Sequence, residues 1–156
     1  MKTIQQWFDE YGESHQNKIN KTIHWVCVPS IFFSVVALLY CKKIAFAIDN
    51  FSSIEFTLAH IVLFAAMIFY IRLSWKLAIP TFLFAMLCIF ICNRIETTNF
   101  CLMNVALTIF VIAWIGQFIG HKIEGKKPSF LKDIQFLLIG PIWLLGFIYK
   151  KLGINY

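Results

Sequence analysis

Four histidines, His15, His24, His60 and His121, stand in a chain whose residues are 60% apolar. Imidazole can carry a proton or, when neutral, ligate a metal. Around His121 the run Gln117-Phe118-Ile119-Gly120-His121-Lys122-Ile123-Glu124 spaces Gln117, His121 and Glu124 at i, i+4 and i+7, one polar stripe on a helix. Gly116 and Gly120 are also four apart, and such small residues let a second helix approach closely. His15 and His24 are nine residues apart. Nine steps of ~100° make two and a half turns, so on one straight helix they would face opposite ways. A shared site therefore needs a break between them. Ser14-His15-Gln16-Asn17-Lys18-Ile19-Asn20 offers one, with Asn20 the expected N-cap of a helix beginning near Lys21. His24 would then lie one turn into that helix. His15 would end a short amphipathic helix carrying Trp7, Phe8 and Tyr11. Imidazoles gathered in this way suit iron, zinc or copper, and the carboxylate of Glu124 could be a ligand or an orienting group. The same histidines could also be hydrogen-bonded residues at a membrane edge, and spacing alone leaves both readings open.

The elements that would position these residues are membrane helices. At 156 residues the chain is about one domain, with 14% charged residues, 17 phenylalanines and a mean hydropathy of +0.73. So small a chain cannot bury that much apolar surface in its own core. Lipid must cover the rest, which excludes a soluble enzyme, a disordered tail and a disulfide scaffold. Apolar stretches run roughly over 25–40, 56–71, 77–92, 101–119 and 134–149. The first four are expected to span the membrane. The fifth is interrupted at Gly140-Pro141 and is expected to be a broken, interfacial or re-entrant helix. The expected fold is thus a single all-α domain, with four transmembrane helices, an N-terminal amphipathic helix and this C-terminal one. The first 24 residues are polar and amphipathic, without the apolar core of a signal peptide. Lys2, Lys18, Lys21, Arg72, Lys76, Lys122, Lys126, Lys127 and Lys132 would lie on one side, against Lys42, Lys43 and Arg94 on the other. That nine-to-three split places the N-terminus, and with it His15, His24 and His121, at the cytoplasmic face. The host membrane would be a bacterial inner membrane or the endoplasmic reticulum. The net charge of +6 reads as this orientation signal beside anionic lipid, not as nucleic-acid binding.

Other chemistry finds little support. The five cysteines are odd in number and most lie in apolar runs, where a free thiol packs as a small hydrophobe. His60 lies in the outer part of the second span, about 16 Å of helix from its inner end, and is expected to be structural. Asn93, Arg94 and Glu96 are expected in a solvated external loop. No GxSxG elbow, P-loop, HExxH or dinucleotide-binding glycine pattern occurs. Ser14 adjoins His15, but neighbours on a helix do not face each other.

Two motifs carry a resemblance. Tyr11-x3-His15-x4-Asn20-x3-His24-x4-Pro29 and Gln117-Phe118-Ile119-Gly120-His121-x2-Glu124-Gly125-x-Lys127-Pro128, followed by Leu138-Ile139-Gly140-Pro141, resemble the yeast-type 2-hydroxy fatty acid dioxygenase family of small membrane proteins. The resemblance spans nearly the whole chain in order. It departs at Cys27, near where many relatives have glycine, and His60 lies outside both motifs. The family implies Fe(II)-dependent α-oxidation, in which a 2-hydroxy fatty acid and O2 give a fatty acid one carbon shorter. On that reading His15, His24 and His121 are metal ligands. Glu124 is a fourth ligand or an outer base, and Gln117 and Asn20 are orienting groups. Lys122, Lys126 and Lys127 would draw in the acid headgroup. The competing classes are a non-enzymatic transport or assembly protein and a zinc-dependent lipid hydrolase using the same histidines.

Overall fold

The computed structural model describes residues 2–49, 52–126 and 135–156. Among them the chain is mostly helical. Its helices are α1 (Ile4–Gly12), α2 (Lys18–Tyr40), α3 (Leu58–Leu73), α4 (Trp75–Glu96), α5 (Leu102–Glu124) and α6 (Gln135–Lys151). By length and composition α2, α4 and α5 can each cross a membrane, as in a multi-pass membrane protein. The 16 residues of α3 reach only about 24 Å, against a hydrocarbon layer of ~30 Å. Three of the four expected spans therefore have full length, and the second is shorter. Val26, Phe64, Phe90 and Ile112 are among the large apolar side chains left exposed on the helices, the surface that lipid would cover.

Four expectations are corrected. The fold is not wholly helical, because β1 (Lys43–Asp49) and β2 (Ser52–Thr57) form an antiparallel hairpin between α2 and α3. Lys43 pairs with Thr57 and Ile44 with Phe56, and the register shifts between Ala47 and Asp49. The alternating Ile44, Phe46 and Ile54, Phe56 have the two-residue period of strands. Second, α2 begins at Lys18, capped by Asn17, whose side chain accepts from the amides of Ile19 and Asn20. Asn20 is not the cap, and His24 lies nearly two turns in. Third, Asn93, Arg94 and Glu96 are exposed but helical, in the last turn of α4. Fourth, α6 is continuous through Gly140-Pro141.

At Pro80 a tyrosine of a neighbouring helix serves the carbonyl that the proline leaves without its usual donor. Pro80 has no N–H for the Lys76 carbonyl four residues earlier. The Tyr149 hydroxyl of α6 donates to that carbonyl at 2.9 Å. The Tyr70 hydroxyl of α3 likewise donates to Leu138 O at 2.9 Å, in the turn before Pro141. Both bonds fasten α6 into the bundle.

Amphipathic α1 buries Trp7, Phe8 and Tyr11 against α6. Trp7 meets Phe136 edge-on at 5.5 Å, and Tyr11 lies 5.1 Å from Trp143. Helices α2 and α5 approach as the glycine pair predicts. A Cβ at Gly116 would sit 2.6 Å from Cys27 Sγ, and one at Gly120 would sit 2.4 Å from Asn20 Oδ1. That approach sets His24 beside His121.

Candidate metal centre

Three elements converge at one end of the α2–α5 pair. The α1–α2 connection contributes His15, α2 contributes His24 and the last turn of α5 contributes His121, all buried. Each offers a ligand atom, and these atoms lie within 4.8 Å of one another. The rings meet nearly perpendicularly, with centroids 4.4 Å (His15–His24), 4.9 Å (His15–His121) and 5.0 Å (His24–His121) apart.

The hydrogen bonds fix which nitrogens are free. His15 Nδ1 lies 2.6 Å from Tyr11 O, and His24 Nδ1 lies 2.9 Å from Asn20 O. A carbonyl only accepts, so each Nδ1 carries the proton and each neutral ring presents a lone pair at Nε2. Those two Nε2 atoms face each other at 2.9 Å. Burial above all, and then the neighbouring His24, pushes the His15 imidazole down to about 3. A proton shared between the rings is therefore disfavoured near neutral pH. Two facing lone pairs repel unless a cation lies between them. Nitrogens sharing one ion at metal–nitrogen distances of ~2.0–2.1 Å lie roughly 3–4 Å apart, which the pair nearly matches. His121 adds an Nδ1 that is buried with no hydrogen-bond partner among the described residues. The donor set fits a divalent metal that favours imidazole.

The surrounding residues hold this geometry. The Tyr11 ring stacks on His15 at 4.2 Å and 9°, and Trp143 lies 5.2 Å from it. Glu124 lies outside the three-histidine group. Its carboxylate accepts from the Gln16 amide at 2.7 Å, the Asn17 amide at 2.9 Å and Asn20 Nδ2 at 3.0 Å. It ties the end of α5 to the start of α2, where a negative charge complements the helix dipole. The Asn20 carbonyl orients His24, and Asn20 Nδ2 also reaches Ser14 O at 3.3 Å. Ser14 Oγ lies 3.2 Å from His15 Nδ1, because both residues follow the end of α1. That nitrogen already carries the proton given to Tyr11 O, so it cannot act as a base toward the serine.

Gln117 is buried and lines the same cleft as the three histidines. Lys126 Nζ donates to Glu13 O at 2.7 Å, Lys122 is exposed, and Lys127 lies outside the described residues. His60 stays apart, capping α3 with its Nδ1 accepting from the Thr57 amide at 3.2 Å. Sequence reasoning missed the roles of Tyr11 and Trp143. The i, i+4 spacing of Tyr11 and His15 was the available signal for the first; Trp143 had none.

Comparison with family models matches residues 1–152 to the family described as "2-hydroxy-palmitic acid dioxygenase Mpo1-like". The chain belongs to this family. The 2-hydroxy-palmitic acid dioxygenase MPO1 of Saccharomyces cerevisiae is 32% identical over 151 residues, covering 92% of this chain and 78% of that protein. No solved structure gives a significant match. The Mpo1-like match runs across all three histidines, so the buried cluster lies within the shared region.

Proposed function

We infer that this protein is an Fe(II)-dependent dioxygenase of 2-hydroxy fatty acids, converting each to the fatty acid one carbon shorter. The observation that carries the reading is the facing pair of Nε2 atoms at 2.9 Å, each with its Nδ1 already donated to a backbone carbonyl. Family membership supplies the substrate class. One 2-hydroxy acid and one O2 give the shortened acid, carbon dioxide and water, which balances without an external reductant. Iron bound by His15, His24 and His121 would supply the open coordination positions for the 2-hydroxy carboxylate and for O2.

The chain's own groups do the rest. Gln117, at the polar end of the cleft, orients the carboxylate or hydroxyl of the substrate. Asn20 and Glu124 keep α2 and α5 in register and so keep His24 beside His121. The apolar cleft walls shelter the acyl chain and exclude water. Lys122, and Lys126 and Lys127 beside it in sequence, attract the acid at the cytoplasmic leaflet, where the charge bias places the N-terminus and the centre.

The test is metal content and turnover on anaerobically purified protein, wild type beside His121→Ala. About one iron per chain, lost in the variant, with O2-dependent shortening of a 2-hydroxy acid, is expected. Stoichiometric zinc with no oxygen uptake would move the reading to hydrolysis. No metal in iron-replete protein would remove the enzymatic reading altogether.

A further inference from the structure

The cleft that begins at the three histidines continues along one face of α2 and is partly open to the surroundings. Val28, Ile31, Phe32, Val35, Val36 and Leu39 line it after His24. Their spacing of three or four residues makes a continuous apolar stripe. Polar groups on the cleft wall cluster at the histidine end, with Gln117 and Tyr11. At the other end Val62 and Leu63 of α3 form the facing wall. The first turns of α3 lie beside the last turns of α2, as the 6.2 Å contact between Tyr40 and His60 places them. A site that is polar at one end and apolar along its length fits an amphiphile with its acid at the histidines and its chain along α2.

We propose that the α2 stripe is a ruler for the acyl chain, and that Val35 and Leu39 set the chain lengths the protein accepts. The identity of the headgroup rests on the dioxygenase reading; the ruler rests on the cleft. From His24 to Leu39 is 15 residues, or about 22 Å of helix. An extended chain of tetrahedral carbons advances ~1.2 Å per bond, as a fully extended backbone does at ~3.6 Å per three bonds. The stripe therefore accommodates about 18 carbons. Val35, 11 residues along, marks a length of about 14 carbons by the same scaling. Both side chains are only partly buried, at the edges of buried clusters, so the binding of short acids serves as the check that each variant folds.

The experiment uses full-length protein in detergent, with saturated 2-hydroxy acids of increasing length displacing a fluorescent fatty acid. Turnover of the same series is followed in parallel. Wild-type affinity is expected to rise with each added methylene and to level off near the length of the stripe. Val35→Phe should level off about four carbons earlier, and Leu39→Ala should level off later than wild type. Unchanged binding of the shortest acids in both variants establishes that each is folded. Coincident break points in all three proteins, or a later break in Val35→Phe than in Leu39→Ala, would overturn the ruler. Shifted breaks without loss of a carbon from any acid would support the ruler and overturn the dioxygenase reading. Turnover with coincident breaks would do the reverse.

Discussion

Replacing Glu124 by glutamine tests whether the metal centre is held together from outside. The carboxylate accepts three hydrogen bonds, from the Gln16 amide, the Asn17 amide and Asn20 Nδ2, at 2.7, 2.9 and 3.0 Å. Hydrogen bonds to a charged acceptor contribute ~1.5–3 kcal/mol each when buried. Glu124 is half-exposed, so water takes back part of that. Glutamine keeps one acceptor oxygen but turns an NH2 toward donors, and it removes the charge at the start of α2, worth ~0.3–1 kcal/mol. The net loss is about 2–3 kcal/mol. For a chain of this size that corresponds to a Tm lower by roughly 5–10 °C. Because the brace joins the helices that carry His24 and His121, metal affinity should fall about 10-fold, at the low end for residues that orient ligands. The assay is thermal unfolding of the metal-free protein in detergent, followed by an anaerobic Fe(II) titration. Metal-free Glu124→Gln that melts with wild type, yet fails to bind iron, would make Glu124 a ligand and refute the bracing argument.

Gly120→Ala should be destabilising by about 1–3 kcal/mol, since its Cβ would meet Asn20 Oδ1 at 2.4 Å; lowered Tm and reduced iron retention together check this. His60→Ala should keep full iron content, because its nitrogen serves Thr57, while losing about 1 kcal/mol of helix capping. Tyr149→Phe removes the donor to the Lys76 carbonyl that Pro80 leaves bare and should cost about 1–2 kcal/mol. In a Pro80→Ala background, where an amide returns to that carbonyl, the same substitution should cost much less, and equal Tm losses in both backgrounds would refute the account.

Some of the centre was legible in the residues themselves. The Gly116/Gly120 pair announced the close α2–α5 approach, and the half-turn mismatch between His15 and His24 required the chain to fold back between them. The cap went astray because Asn17 and Asn20 are equally good capping residues, and only packing decides which one stays buried against α5. The hairpin was missed because its alternating apolar residues merge with the ends of the flanking helices. The broken sixth helix was a fair reading of Gly140-Pro141 in isolation. Tyr70, about 70 residues away in sequence, supplies a hydrogen bond in the turn before the proline.

Composition alone pointed to a mostly helical chain with helices apolar enough to cross a membrane, because burial and insertion depend on summed residue properties. Spacing and charge bias put His15, His24 and His121 at one end of the helices and set His60 apart, and the structure gathers those three into one buried cluster. The tertiary structure decided that two Nε2 lone pairs meet at 2.9 Å, that Tyr11 and Asn20 fix their tautomers through backbone carbonyls, and that Glu124 engages the amides of Gln16 and Asn17. The first joins side chains nine residues apart, and the other two engage backbone atoms, identical in every residue, to which only the fold assigns partners.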